Sequence, residues 1–159
     1  MSKTRIVAEK GKQQIVVTRI FDSSRELVFN TYLDPDSVPD WWGPRIVTTT
    51  VDKMEVRKGG IWRFVQQAPD GQIHAHNGVY HEVLSPERIV NTYEYEGYPG
   101  IVGLVTTMFE ELPGGKTKFL ETTLYPSEEV REAVIQSGMY EGVIELLDRL
   151  EEILAKLQS

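Results

Sequence analysis

The chain predicts an α+β fold: a curved antiparallel sheet wrapped around a long C-terminal helix, with two short helices after the first strand. Three observations carry this. Residues 126–157 hold an apolar stripe at three- and four-residue steps, the period of a helix with one buried face. The middle of the chain is a run of short alternating segments divided by Gly, Pro and Asp turn signals, and such short links join antiparallel neighbours. A sheet apolar on one face needs a cover, and the C-terminal helix is the one element large enough to supply it.

In chain order, residues 13–21 alternate around Ile15 and Val17 and form the first strand. Ser23 or Ser24 caps a helix over 25–32, with Val28, Phe29 and Tyr32 inward. Asp34-Pro35-Asp36 ends it. A second short helix covers 37–41 and stops at Gly43-Pro44. Six strands follow. The first lies within 45–56, with Ile46 and Val47 near its start. The others span 61–67, with Trp62 and Phe64 on one face, then 72–83, then 88–96, with Ile89, Tyr93 and Tyr95 on one face, then 101–111 and 117–125. Pro69-Asp70-Gly71 and Pro113-Gly114-Gly115 are hairpin turns.

The C-terminal helix starts from Ser127 as N-cap, with Glu128 and Glu129 at the positive end of its dipole. Val130, Val134, Val143, Leu147, Leu150, Leu154 and Leu157 make the stripe, widened by Met139, Leu146 and Ile153. Glu132, Glu141, Glu145, Arg149, Glu151, Glu152 and Lys156 occupy much of the opposite face. Gly138 and Gly142 interrupt it, each costing about 1 kcal/mol relative to alanine. They mark either close packing against a strand or floor space for a ligand.

The 159 residues suffice for one domain at 13–159, with 1–12 as a flexible, solvated arm. No cysteine is present, which excludes disulfides, thiol catalysis and cysteine-ligated metals. The N-terminal stretch has no apolar h-region and no segment is long enough to span a membrane, so a cytoplasmic location without membrane insertion is expected. The net charge of -7 repels phosphate and argues against nucleic acid. Lys58-Gly59-Gly60 lacks the spacing of a phosphate loop, and neither Gly-x-Gly-x-x-Gly nor Gly-x-Ser-x-Gly occurs, so no cofactor is expected.

Along its length from about 13 to 157 the chain resembles the START-like (SRPBCC, helix-grip, Bet v 1-like) superfamily, and within it the family named for the activator of Hsp90 ATPase. The resemblance is carried by Phe21, Val28-Phe29, Asp34-Pro35 and Trp41-Trp42. It continues in Gly59, Gly60, Trp62 and Phe64, then Gly78, Tyr80, Glu82, Val83 and Pro86-Glu87-Arg88-Ile89, and finally Leu147-Asp148-Arg149-Leu150. Gly138-Met139 stands where relatives carry Gly-Trp, which alters the expected cavity wall, since a thioether fills space less rigidly than an indole. The resemblance implies a cavity between sheet and helix. Superfamily relatives bind lipids, hormones or polyketides, and some are aromatases or cyclases.

Trp41 and Trp42 are read as a plug of the sheet's open end or as a gate and pocket wall. Trp62, Phe64, Tyr93, Tyr95, Met139 and Val143 are core or cavity lining; aromatic walls suit an apolar ligand that tyrosine hydroxyls orient. His74 and His76 share a strand face, with His81 opposite. A metal site there would need a carboxylate from Glu82, Glu110 or Glu121, and none is expected. His76 with Tyr80 or Glu121 is the acid–base pairing to look for. Arg63 is either paired inside or solvated outside. The leading expectation is a module binding a small hydrophobic or aromatic molecule through Trp41, Trp42, Trp62, Phe64, His76, Tyr80, Tyr93, Tyr95, Met139 and Val143. A cyclase or aromatase using the same cavity is the alternative. So is a chaperone-associated interaction module, marked by an exposed apolar patch near Tyr98-Pro99-Gly100-Ile101 and little internal space. A homodimer is compatible with each.

Overall fold

The computed structural model describes residues 3–158. Met1 and Ser2 of the expected arm, and Ser159 at the end of the expected domain, lie outside the described residues. Among the described residues eight strands form one antiparallel sheet: β1 (Arg5–Val7), β2 (Gln14–Phe21), β3 (Thr48–Met54), β4 (Ile61–Gln67), β5 (Ile73–Leu84), β6 (Arg88–Tyr95), β7 (Val102–Leu112) and β8 (Lys116–Leu124). Their spatial order is β1-β2-β8-β7-β6-β5-β4-β3, so β3 to β8 run as a meander and β2 closes beside β8. Helices α1 (Arg25–Tyr32) and α2 (Val38–Trp41) fill the link from β2 to β3, and α3 (Glu128–Gln136) and α4 (Met139–Gln158) follow β8. This is the helix-grip arrangement: α4 lies in the hollow of the sheet.

The strands form where period-two alternation puts apolar residues on one face. Along β2, Ile15, Val17 and Phe21 are buried; along β8, Phe119 is buried, and Phe21 meets it edge-on at 6.0 Å between ring centroids. From α4, Leu147, Leu150 and Leu154 enter this core fully buried. Each stabilises the fold by about 2 kcal/mol of removed apolar surface. Ser24 caps α1 by accepting from the Leu27 amide, and Ser127 caps α3 by accepting from the Val130 amide.

Four expectations are corrected. Part of the expected arm is structured: Arg5–Val7 pairs with Val16, Val17 and Thr18 as the edge of the sheet. Ile46 and Val47 precede β3, with Ile46 70% exposed, because the chain turns after Pro44 and only resumes an extended path at Thr48. The C-terminal helix is two helices. Ser137 caps α3, and Gly138 next to it has φ +83°, a left-handed turn that glycine adopts without penalty. Leu157 is 56% exposed, beyond the reach of the sheet.

Nor does the charged face of α4 simply meet water. Arg19 on β2 is buried, and its Nη1 donates to Asp148 Oδ1 at 2.5 Å and to Thr4 Oγ1 at 2.9 Å, while Nη2 donates to Glu151 Oε2 at 2.7 Å. Arg149 donates to the Gly43 and Asp40 carbonyls at 2.7 and 2.8 Å, and the Arg45 amide donates to Glu145 Oε1 at 2.8 Å. These bonds tie α4 to β2 on one side and to the loop after α2 on the other. Neither Gly138 nor Gly142 packs against a strand: a Cβ at Gly142 would meet nothing within 4 Å, and one at Gly138 only Glu141 Oε2 at 3.6 Å.

The two glycines therefore respond in opposite directions. Gly138→Ala forces a side chain into the left-handed region and is expected to destabilise by about 1–2 kcal/mol. Gly142→Ala, in open space inside α4, is expected to stabilise by up to about 1 kcal/mol. Urea denaturation of the two variants checks both signs.

Candidate functional site

A small cleft of about 50 Å³ opens between the concave sheet and the α1–α2 segment. Its walls include Tyr32 from α1, Trp41 and Trp42 from α2 and the residue after it, Trp62 and Phe64 from β4, and Tyr80 from β5. The inward parity of β4 puts Trp62 and Phe64 side by side, ring centroids 4.8 Å apart. Trp62 is paired across the ladder with Gly78, where a Cβ would come within 2.4 Å of Trp62 Nε1 and 1.9 Å of the Thr92 carbonyl oxygen. Only a residue without a side chain lets the indole lie there.

The two neighbouring tryptophans do different things. Trp41 is buried, 5.1 Å from the Tyr32 ring, and holds α2 against α1. Trp42 is partly exposed and leans edge-on over Phe64 and His76, each at 5.0 Å, and over Trp62 at 6.2 Å. It covers the aromatic cluster from the edge. The indole N–H groups of Trp41 and Trp62 are enclosed and have no hydrogen-bond partner among the described residues.

Behind the cleft the concave wall becomes polar. Glu121 on β8 faces inward between Phe119 and Thr123, opposite Thr107 of β7 and Val17 of β2. The Tyr32 hydroxyl donates to its Oε2 at 3.4 Å. Burial, only partly offset by that bond, raises the Glu121 carboxyl to about 7. The Tyr125 and Tyr140 hydroxyls lie 3.0 Å apart nearby. Burial pushes Tyr125 up to about 12 and pushes Tyr32, Tyr80 and Tyr140 higher, so all four stay neutral donors in the ordinary range.

His76 belongs to another group. Its Nδ1 meets the Tyr93 hydroxyl at 2.6 Å and its Nε2 meets Gln66 Oε1 at 2.9 Å; a neutral ring with the proton on Nε2 satisfies both. Burial first, and His74 second, lower His76 to about 4. His74 Nδ1 meets the Tyr95 hydroxyl at 2.7 Å. Arg63 points to the outer face, where it grips Glu96 through two bonds of 2.8 and 2.9 Å and Asp52 at 3.3 Å. Arg63 and then Asn77 hold Glu96 down at about 2.

Of the expected ligand residues, the structure brings Trp41, Trp42, Trp62, Phe64 and Tyr80 together in the cleft wall. His76 and Tyr93 stand directly behind Trp42 and Trp62, and Tyr95 behind His76. Met139 and Val143 pack against the core from α4 without lining the cleft. The expected meeting of His76 with Glu121 does not occur, since both ring nitrogens of His76 are engaged by Tyr93 and Gln66. Tyr80 and Glu121 instead both neighbour Tyr32, which sequence reading had placed only as an inward helix residue. Asn91, an inner-face residue of β6, also lines the cleft and went unnoticed because a lone polar residue in a strand carries no periodic signal. Glu82 leaves the histidine face at a bulge after Tyr80 and pairs with Arg88. Among the described residues no three His, Cys, Asp or Glu side chains come together in a metal-holding cluster, and no helix is long and apolar enough to cross a membrane.

Residues 22–155 match the model of the family described as Activator of Hsp90 ATPase homolog 1-like protein. Several solved structures share the fold. A Rhodobacter sphaeroides protein is 26% identical with a TM-score of 0.86, covering 96% of this chain and 99% of its own. A Staphylococcus epidermidis protein solved in solution is 28% identical with a TM-score of 0.80, covering 93% of each chain. Protein Ms6760 of Mycobacterium smegmatis is 22% identical with a TM-score of 0.85, covering 95% of this chain and 96% of its own. No curated protein matches the chain.

Two titrations follow from these environments. With Glu121 raised to about 7 from an ordinary 4.5, its contribution to stability is complete below about 4.5 and is lost as pH rises through about 7. Glu121→Gln is therefore expected to match wild type at pH ~4 and to exceed it by on the order of 1–2 kcal/mol at pH ~8 in chemical denaturation. The His76 ring resonances in NMR are expected to stay constant on acidification until pH approaches about 4.

Proposed function

The chain belongs to the Activator of Hsp90 ATPase homolog 1-like family, and from that membership we propose that it binds a small, mostly apolar molecule in the cleft beneath Trp42. One observation carries this reading: an aromatic wall of Trp42, Trp62 and Phe64 opens inward onto the neutral tyrosine hydroxyls of Tyr32 and Tyr80. Such a wall accepts flat apolar surface by dispersion and desolvation, and the hydroxyls fix its orientation. The void of about 50 Å³ takes a water molecule or two, whereas small-molecule sites enclose about 300 Å³ or more. Trp42 is the wall residue that can yield. It follows a helix of four residues and is partly exposed, so ligand entry consists of its indole leaving Phe64 and His76.

Proton-transfer chemistry of the cyclase or aromatase kind is the second reading of the same cleft. Glu121 near 7 beside Tyr32 favours it, and His76, held neutral elsewhere, would not take part. A protein-interaction role has its own supporting observation in the exposed cross-strand pair Leu104 and Leu124, continued by Val102 and Tyr98 at the same end of the sheet.

Calorimetric titration with neutral aromatic hydrocarbons and naphthol tests the ligand reading. Saturable one-to-one binding is expected. Trp42→Ala is expected to change the affinity by about threefold or more, since it removes both the lid and its contacts. Ile73→Ala, on the exposed outer face of β5, is expected to leave it unchanged. Absence of saturable binding across aromatics, fatty acids and polyketide-like compounds would remove this reading in favour of a protein partner.

A further inference from the structure

The position of Glu121 says more about the molecule that the cleft takes. Glu121 stands half-buried on the concave wall, its side chain between Phe119 and Thr123, and desolvation raises its carboxyl. Its one hydrogen bond among the described residues, from Tyr32, is 3.4 Å long, at the outer margin of such bonds. The buried cations of the neighbouring elements are committed elsewhere. Arg19 on β2 is bound to Asp148 and Glu151, and Arg131 on α3 to the Glu9 carbonyl and to Glu132. Every element packed around Glu121 presents either a neutral group or a ring. These are Val17 from β2, Thr107 from β7, Tyr32 from α1, Tyr125 following β8, and Tyr140 from α4, with Tyr80 from β5 beyond Tyr32. Phe109 and Phe119 flank Tyr32 at 5.7 Å each.

A lone carboxyl bordered by aromatic rings is a receptor for a cation. Ionisation of Glu121 is opposed by its surroundings, and a positive charge brought beside it restores what burial removed. The electron-rich ring faces add attraction for the same sign of charge. Tyr32 links this point to the cleft, because its ring forms part of the cleft wall and its hydroxyl reaches Glu121.

We propose that Glu121 anchors a protonated amine at the inner end of the ligand, so that the molecule taken by the cleft is an apolar or aromatic amine. The ammonium donates to the Glu121 carboxylate and to the Tyr32 hydroxyl oxygen, while Tyr32 continues to donate to Glu121. The apolar body of the molecule lies under Trp42. This inference rests on the ligand-binding reading of the cleft.

Three probes of matched shape separate the two ideas: phenethylamine, propylbenzene and hydrocinnamate, titrated calorimetrically at pH ~8 against wild type and Glu121→Gln. Wild type is expected to bind phenethylamine about tenfold or more tightly than propylbenzene, with hydrocinnamate weakest. In Glu121→Gln the gap between amine and hydrocarbon is expected to close, while propylbenzene binds at least as well as before. Glu121→Asp, which keeps the charge, is expected to retain the order of affinities. Equal binding of amine and hydrocarbon to wild type, or an amine preference that survives in Glu121→Gln, overturns the anchor and leaves the cleft reading standing. Failure of all three probes, together with silence of the neutral aromatic panel, overturns both. The wild-type comparison decides even if a variant does not fold.

Discussion

The apolar stripe of α4 has to be covered, and the concave face of the sheet is what covers it. Leu147, Leu150 and Leu154 are buried in the same core cluster as Ile15, Val17 and Phe21 of β2 and Phe119 of β8, and most of the architecture follows from placing them there. A buried guanidinium fixes the position: Arg19 reaches from β2 to Asp148 and Glu151, one helical turn apart on α4. Removing such a cation from water is costly unless it is paired, and both terminal nitrogens of Arg19 are paired while its Nε is enclosed without a partner among the described residues, so the clamp holds in one register. With α4 set near β2 and β8, the other end of the curved sheet lacks a helix of comparable size. The α1–α2 segment and the aromatic residues of β4 and β5 close that end, and the closure is where the cleft lies.

The closure is a compromise between filling and opening. Trp41 and Tyr32 fill space and stay inside. Trp42 fills it from the edge and stays partly exposed, packed edge-on against Trp62 and Phe64. The polar groups further in are arranged in two separate sets. Tyr93, His76 and Gln66 satisfy one another around a neutral imidazole. Tyr32, Glu121, Tyr125 and Tyr140 form the other, in which the acid is the least satisfied member. The concave wall therefore has a complete polar network on one side and an incomplete one on the other, and the proposed anchor rests on that difference.

Much of the fold was legible because periodicity reports burial directly. The α1 boundaries, β4 and the Ser127 cap follow from local pattern and chemistry, which leave the α1 cap between Ser23 and Ser24, and the helix-grip order follows from counting elements around one amphipathic helix. What could not be read depends on long-range placement. Arg149 and Glu151 look like solvent-facing residues in any helical projection, and their partners Gly43 and Arg19 are more than a hundred residues away in sequence. The left-handed turn at Gly138 reads in the sequence as an interruption of one helix, not as the boundary between two. The candidate site was half visible. Aromatic content and strand parity pointed to Trp62, Phe64 and Tyr80, but parity assigns a face and says nothing about which inward residues meet. His76 and Glu121 share the concave face and still belong to different neighbourhoods, and Tyr32 connects Glu121 to the cleft from a helix.

The chain has three tryptophans, Trp41, Trp42 and Trp62, and all of them stand in the wall of the cleft. Its tryptophan emission therefore originates in one small region. An indole passing from an apolar, ring-lined setting into water shifts its emission toward longer wavelength, and Trp42 is the one placed to make that passage. Tryptophan emission is thus a gauge of how far the cleft wall is exposed, one that needs no label and has no background from tryptophans elsewhere in the sheet or in α4.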